Sequence, residues 1–259
     1  LKDCGRLNLR LVEDETLQFP TPLSFEFGIG SAIGVVDTND MAEIPPCSGS
    51  YEYWWKFHRC SVHEPFTNIR SFPPTSFVNW DQYRDLASDI RYTASSETIL
   101  STQRPKFAIR APEWISGLTR RRSMVLQMLA KEYPDTISSE FTDQSTYWKR
   151  AGECLVSVHV PGMWNNMLDR AQHQLWGFGV CTISPFIFTT LLSEQPIPDV
   201  HYIQCRDDYS DLVSKIEWCR ENRKACIDVG IEAKRLFQRN SLPEKIWFHI
   251  FREMKYGTV

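Results

Sequence analysis

Along the first hundred positions, apolar residues come in short strand-like runs broken by proline-rich and aromatic loops. "LSFEFG" (23 to 28), "AIGVVDTND" (32 to 40) and "YEYWWKFHRCS" (51 to 61) alternate or cluster apolar residues, and "RSFPPTSFVNWDQY" follows them. This pattern predicts a smaller α/β domain with irregular loops over residues 1–102. The polar stretch 93 to 105, which contains "SSETILSTQRP", reads as the link to a second domain.

From about residue 103 the period changes to a regular exchange of strand and helix, the pattern of a parallel α/β layer. "KFAIRA" (106 to 111) reads as a strand, and "RRRSMVLQMLAKEY" as a helix with apolar positions at 124, 125, 128 and 129. "DTISSE" is a short strand and "DQSTYWKRAG" a short helix, while "CLVSVHV" (154 to 160) is apolar enough to be a strand covered on both faces. A helix follows within "PGMWNNMLDRAQHQLWGF", then strands in "GVCTIS" and "HYIQC", then helices in "YSDLVSKIEWCRENRK" and "CIDVGIEAKRLFQRN". The second domain therefore spans 103–240. The last helix, in 241–259, opens with Ser241 and Glu244 at capping-box spacing and Pro243 in its first turn. Its apolar positions at 246, 247, 250, 251 and 254 share one face, so it docks on another element.

Composition narrows the function classes. The chain has 259 residues, 42% hydrophobic and 24% charged, with a formal net charge of −3, so no global basic field favours nucleic acid or anionic membrane. Any anion site must be local. No apolar stretch reaches the ~18 residues of a membrane span, and "LKDCGRLNLRLVEDE" lacks the apolar core of a signal peptide, so the expectation is a cytoplasmic chain. Opening on Leu1 leaves room for a leader removed upstream. Eight cysteines show no CxxC spacing, and several sit in apolar runs, which favours reduced, buried thiols over disulfides or structural zinc.

The candidate chemistry lies at strand ends, because ligands of open parallel sheets bind beyond the carboxyl ends of the strands. "PGMWNN" leaves a buried strand with Gly162 for close backbone approach and Asn165 and Asn166 to cap the next helix or donate hydrogen bonds. Asn166, Arg170 and Gln174 are spaced as one row on that helix, and an arginine there either reaches an anion at the helix start or pairs with an acidic neighbour. Arg110 ends one strand; of Arg120, Arg121 and Arg122, one points inward and the others face water. Ser184 closes "GVCTIS", and Asp208, Tyr209 and Ser210 offer groups suited to ribose hydroxyls, with helix capping the alternative for Asp208 and Ser210. For a general base, Asp37 and Asp40 end a buried strand in the first domain, where turn and cap chemistry is the competing use. His58, His63, His159 and His201 are scattered and read as packed or surface histidines, and no metal motif is present.

These segments carry a resemblance. "FAIRAPEWISGLTRRRSMVLQML", "DTISSEFTDQSTYW", "VSVHVPGMWNNMLDRAQHQLWGFGVCTISP" and "HYIQCRDDYSDLVSKIEWCREN" together resemble, over roughly residues 103 to 255, the inverting glycosyltransferases of the GT-B class. The resemblance is to Rumi-like and capsule-associated glucosyl- and xylosyltransferases, with a looser likeness to exostosin-type enzymes and a closer one to the exostosin-like xylosyltransferases of chlorella viruses. The resemblance implies an α/β GT-B fold, two Rossmann-like domains facing a cleft, with the final helix crossing back to the first domain. It implies a UDP-sugar donor, UDP-xylose ahead of UDP-glucose, a glycan acceptor, no permanently bound cofactor and no required metal. By position, Arg110 and Arg122 match the arginines of the first strand-helix junction, and Arg170 the arginine that faces the diphosphate. The exostosin-type ribose-binding glutamate stands five residues before a glycine; here Gln174 holds that spacing from Gly179. The alternative function is a non-catalytic carbohydrate-binding or scaffold protein that keeps the same shell. An epimerase on the same substrates is disfavoured by the missing dinucleotide fingerprint.

Overall fold

The computed structural model describes residues 8–11, 24–29, 31–37, 51–56, 59, 61–73, 80–101, 113–138, 143–161, 166–188 and 194–256. The chain divides into two compact units. One comprises Leu1–Pro74, Phe188–Gln195 and Arg239–Val259, the other Thr75–Ile187 and Pro196–Gln238. The division falls after residue 74, whereas the sequence placed it after 102.

The first unit is built on a mixed sheet in the order β1-β2-β3-β4-β5, with strands Asn8–Leu11, Ser24–Ile29, Ala32–Asp37, Tyr53–Lys56 and Ile69–Ser71. β1, β2 and β3 pair antiparallel; β3, β4 and β5 pair parallel. The last helix, α7 (Pro243–Tyr256), belongs to this unit and covers one face of the sheet. Its Ile246, Ile250 and Met254 pack with Phe27, Val36, Tyr53 and Trp55, while Trp247 and Phe251 flank the cluster. Each fully buried aliphatic side chain there contributes ~1.5–3 kcal/mol, so the 3.6-residue apolar period accounts for the docking. Gly34 is required by close packing: a Cβ would sit 2.5 Å from the Trp55 ring.

The second unit holds an all-parallel sheet in the order β10-β9-β8-β6-β7, made of Ile99–Ser101 (β6), Ile137–Ser138 (β7), Val156–Val158 (β8), Thr182–Ser184 (β9) and Ile203–Gln204 (β10). Helices α1 (Trp80–Asp89), α2 (Glu113–Glu132), α3 (Gln144–Glu153), α4 (Arg170–Phe178), α5 (Leu212–Glu221) and α6 (Arg223–Asn240) accompany it. The stretch expected to be a linker contains β6, which pairs with both β7 and β8. The expected strand at 106–111 lies outside the described residues. Tyr83 of α1 anchors the helical layer: its ring packs against Trp148 and Phe178, and its hydroxyl donates to Gln174 O at 2.8 Å. α4 is pinned to β9 through Thr182 Oγ1, which accepts from Gln172 Nε2 and Trp176 Nε1, each at 3.0 Å. α4 ends at Gly179 in the left-handed conformation (φ 80°), which favours glycine.

The five described cysteines, 154, 181, 205, 219 and 226, are buried free thiols. Among the described residues, no helix is long and apolar enough to cross a membrane.

Candidate functional site

The order β7-β6-β8-β9-β10 places consecutive strands β6 and β7 side by side, then sends the chain to the other side of β6 for β8. That reversal creates a topological switch point, and in such sheets the crevice outside the carboxyl ends of the two strands at the switch is where ligands bind. Here those are the ends of β6, at Ser101, and of β8, at Val158.

At the carboxyl ends of β8 and its neighbour β9, next to the switch, described residues form one connected polar cluster. His159 leaves β8 fully buried, with its Nδ1 3.2 Å from Ser184 Oγ at the end of β9. Its Nε2 lies 2.9 Å from Asp169 Oδ2, an ion pair when the ring is protonated. Asp169 caps α4, its Oδ1 accepting from the Gln172 amide at 3.0 Å. Burial pushes the Asp169 carboxyl up, but the charge and contact of His159, the Gln172 amide and the Arg122 charge more than reverse this and hold it below the usual carboxylate range. Tyr209 closes the cluster from the loop after β10, its hydroxyl donating to His159 O at 3.1 Å. Burial pushes that phenol up, and Arg121 and Arg122 act in the opposite direction. The Tyr209 backbone is left-handed (φ 59°), a conformation that costs a bulky residue ~1–3 kcal/mol and is held here by the buried ring and its hydrogen bond. On α2, Arg122 Nε is buried without a hydrogen-bond partner, and burial lowers the pKa of the neighbouring Arg121 guanidinium.

Among the expected site residues, the structure brings Arg122, Ser184 and Tyr209 together. Arg110, Gly162, Asn165 and Asp40 lie outside the described residues. The row Asn166, Arg170, Gln174 does not form: Asn166 sits in a turn before the helix, Arg170 is the exposed first helical residue, and Gln174 is buried. The reason is the cap. Asp169, not an asparagine, starts α4, so the helix begins later than expected and the row loses its first member. Asp208 and Ser210 are exposed and bonded to each other, Ser210 N donating to Asp208 Oδ1 at 2.9 Å, while α5 is preceded by Asp211. In the first unit, Asp37 is buried at the end of β3, where its Oδ2 receives Lys56 Nζ at 3.0 Å and Trp54 Nε1 at 3.3 Å.

His159 and Asp169 were missed. Asp169 and Gln172 have the spacing of a helix-start signature, which was available in the sequence. Nothing local distinguishes His159 from a packed histidine, because its role depends on partners 10 and 25 residues away.

The chain is similar to the structure of Anabaena HepE in complex with UDP and glucose, with a TM-score of 0.50 and 8% identity, covering 81% of this chain and 64% of that one. The fold is of the GT-B type. A glycosyltransferase structure from Rickettsia africae gives a TM-score of 0.49 at 11% identity, covering 86% of this chain and 71% of that one. At these identities the HepE likeness shows the fold alone, and this chain spans less than two thirds of HepE's length. No family model matches. Over 41 residues the chain is 42% identical to uncharacterized protein 179R of Invertebrate iridescent virus 6, spanning 16% of this chain and 4% of that protein.

Proposed function

We propose that this protein is a UDP-sugar-dependent glycosyltransferase whose donor lies at the switch point of the second sheet. The observation that carries the reading is the polar cluster at the carboxyl ends of β8 and β9, next to the switch, with Arg122 presenting a buried, unpartnered Nε beside it. HepE, of the same fold, was solved with UDP and glucose, which supports a nucleotide-sugar donor.

Charge accumulates on the departing nucleotide diphosphate, so the site needs fixed cations. The first turn of α4 is already occupied by the Asp169 carboxylate, so in this reading arginines, rather than that helix start, carry the leaving-group charge: Arg122, Arg170 and Arg110. One such donor is worth ~2.7–4 kcal/mol in comparable anion sites. The reading assigns Gly162, Asn165 and Asn166 to the diphosphate and Gln174, Ser184, Asp208, Tyr209 and Ser210 to the rest of the donor. The reaction is an inverting single displacement. A carboxylate takes the proton of a glycan hydroxyl, its oxygen attacks the anomeric carbon, and the C–O bond to the diphosphate breaks. Asp40 is the base proposed first, because Asp37 is buried against Lys56. Xylose is favoured over glucose, and no metal is given a role.

The test is UDP release from UDP-xylose and UDP-glucose, with UDP affinity by calorimetry. The folded protein binds UDP and releases it slowly from at least one donor; Arg170→Ala weakens UDP binding at least tenfold, about 1.4 kcal/mol. Binding without release favours the non-catalytic carbohydrate binder. Unchanged UDP affinity in folded Arg170→Ala removes the diphosphate role of that residue.

A further inference from the structure

The donor-site reading leaves the His159–Asp169 pair without a task, and electrostatically the pair is awkward. Asp169 places a carboxylate, its side chain only 12% exposed, close to where a diphosphate is proposed to bind. It is held below the usual carboxylate range, so it is ionised at neutral pH and repels an incoming anion. Two neighbours offset that charge. Arg122 does so permanently, since a guanidinium stays protonated. The imidazole of His159 is the other, and its two nitrogens, one facing a carboxylate and one a hydroxyl, can hold one proton or two.

The contacts of the ring allow that change without rearrangement. Nε2 faces the carboxylate at 2.9 Å and is the natural seat of the first proton. Nδ1 faces Ser184 Oγ at 3.2 Å, and a hydroxyl both donates and accepts. With a neutral ring the serine donates to Nδ1; with a cationic ring it accepts, and only the hydroxyl hydrogen turns. The backbone on either side is fixed by the Tyr209 hydroxyl on His159 O and by His159 N donating to Ile183 O at 2.9 Å.

We propose that His159 and Asp169 couple donor binding to a proton: the nucleotide-sugar diphosphate binds best when His159 is cationic, so binding takes up a proton at this pair. The proposal rests on the donor-site reading. Among the described residues, the charged and titratable groups of this cluster are Asp169 from α4, which faces the ring, Arg122 from α2, which acts on Asp169, and Tyr209 from the loop after β10, on which Arg121, Arg122 and Cys205 act. The arginines keep their charge through the neutral range, and Tyr209, pushed up by burial, does not titrate there.

UDP-glucose and UDP-xylose are suitable probes, because their diphosphates do not change charge between pH 6 and 8. Calorimetry in two buffers of different ionisation enthalpy, repeated across that range, reads affinity and proton uptake together. The wild-type protein is expected to take up a fraction of a proton near neutral pH and to lose about tenfold in affinity as pH rises from 6 to 8, within the usual span of coupling between sites. His159→Gln keeps an amide N–H for Asp169 and is expected to bind with no pH slope and no uptake. Asp169→Asn retains a helix-capping side chain without its charge, and it decides the matter should the buried histidine variant not fold. It is expected to abolish the slope and to bind more tightly than wild type at pH 8. A flat wild-type profile without proton uptake, or an unchanged slope in Asp169→Asn, overturns the proposal. A folded wild-type protein that binds neither nucleotide sugar at any pH overturns the donor-site reading instead.

Discussion

Asp37→Asn keeps the shape of the side chain and an acceptor for the Trp54 indole while removing the negative charge 3.0 Å from Lys56 Nζ. Asp37 and Lys56 are both buried, at 1% and 0% exposure, so water does not replace the lost counter-charge. Breaking a buried pair by removing one partner costs ~3–5 kcal/mol. The expected loss is therefore ~3–5 kcal/mol, carried by the first unit, whose β3 and β4 supply the two residues. Denaturant unfolding followed by tryptophan fluorescence reads it, because Trp54 and Trp55 lie in the same strand as Lys56. Transfer by the fraction that remains folded should persist. A loss below ~1 kcal/mol combined with a hundredfold drop in transfer would refute the reasoning and make Asp37 the base.

Two further outcomes follow from the second unit. Gly230 of α6 packs against the C-cap of α4, where an added Cβ would lie 1.9 Å from Gly179 O; because the obstacle is backbone, Gly230→Ala should destabilise by ~3 kcal/mol, read as a lower thermal midpoint, and a change within 0.5 kcal/mol would contradict the packing. Asp169→Ala removes a cap worth ~1 kcal/mol. Since the folded pKa of Asp169 is depressed, its stabilisation is fully present above the ordinary carboxylate pKa of about 3.9 and is lost as pH falls through the lower folded value. The stability gap between wild type and variant should thus narrow as pH falls below about 4, and a gap that widens below pH 4 would contradict the assignment.

Much of the second unit was legible because its helices have long apolar periods and its strands are apolar runs. α7, in the first unit, was legible for the same reason, with Ile246, Ile250 and Met254 at helical spacing and buried. β6 was not legible: Ile99 and Leu100 are two apolar residues in a polar stretch, and only pairing on both sides makes Ile99–Ser101 a strand. α1 was hidden for a similar reason, since Tyr83 is its one buried residue. The same limit applied to the site. Strand exits pointed to Ser184 and Tyr209, but the His159–Asp169 pair depends on the turn before α4, whose start was read three or four residues early by assigning the cap to the asparagines. Asp37 was visible as a strand-end carboxylate, while its use as the partner of Lys56 is a matter of strand register, Asp37 standing opposite Lys56 in the β3–β4 pairing.

The central claim is the place of the donor, and a crystal structure of the protein with UDP tests it most directly. The account predicts the diphosphate beyond the carboxyl ends of β6 and β8, with the Arg122 guanidinium within hydrogen-bonding distance of a phosphate oxygen. UDP bound in an ordered pose elsewhere, with Arg122 unengaged, would contradict it.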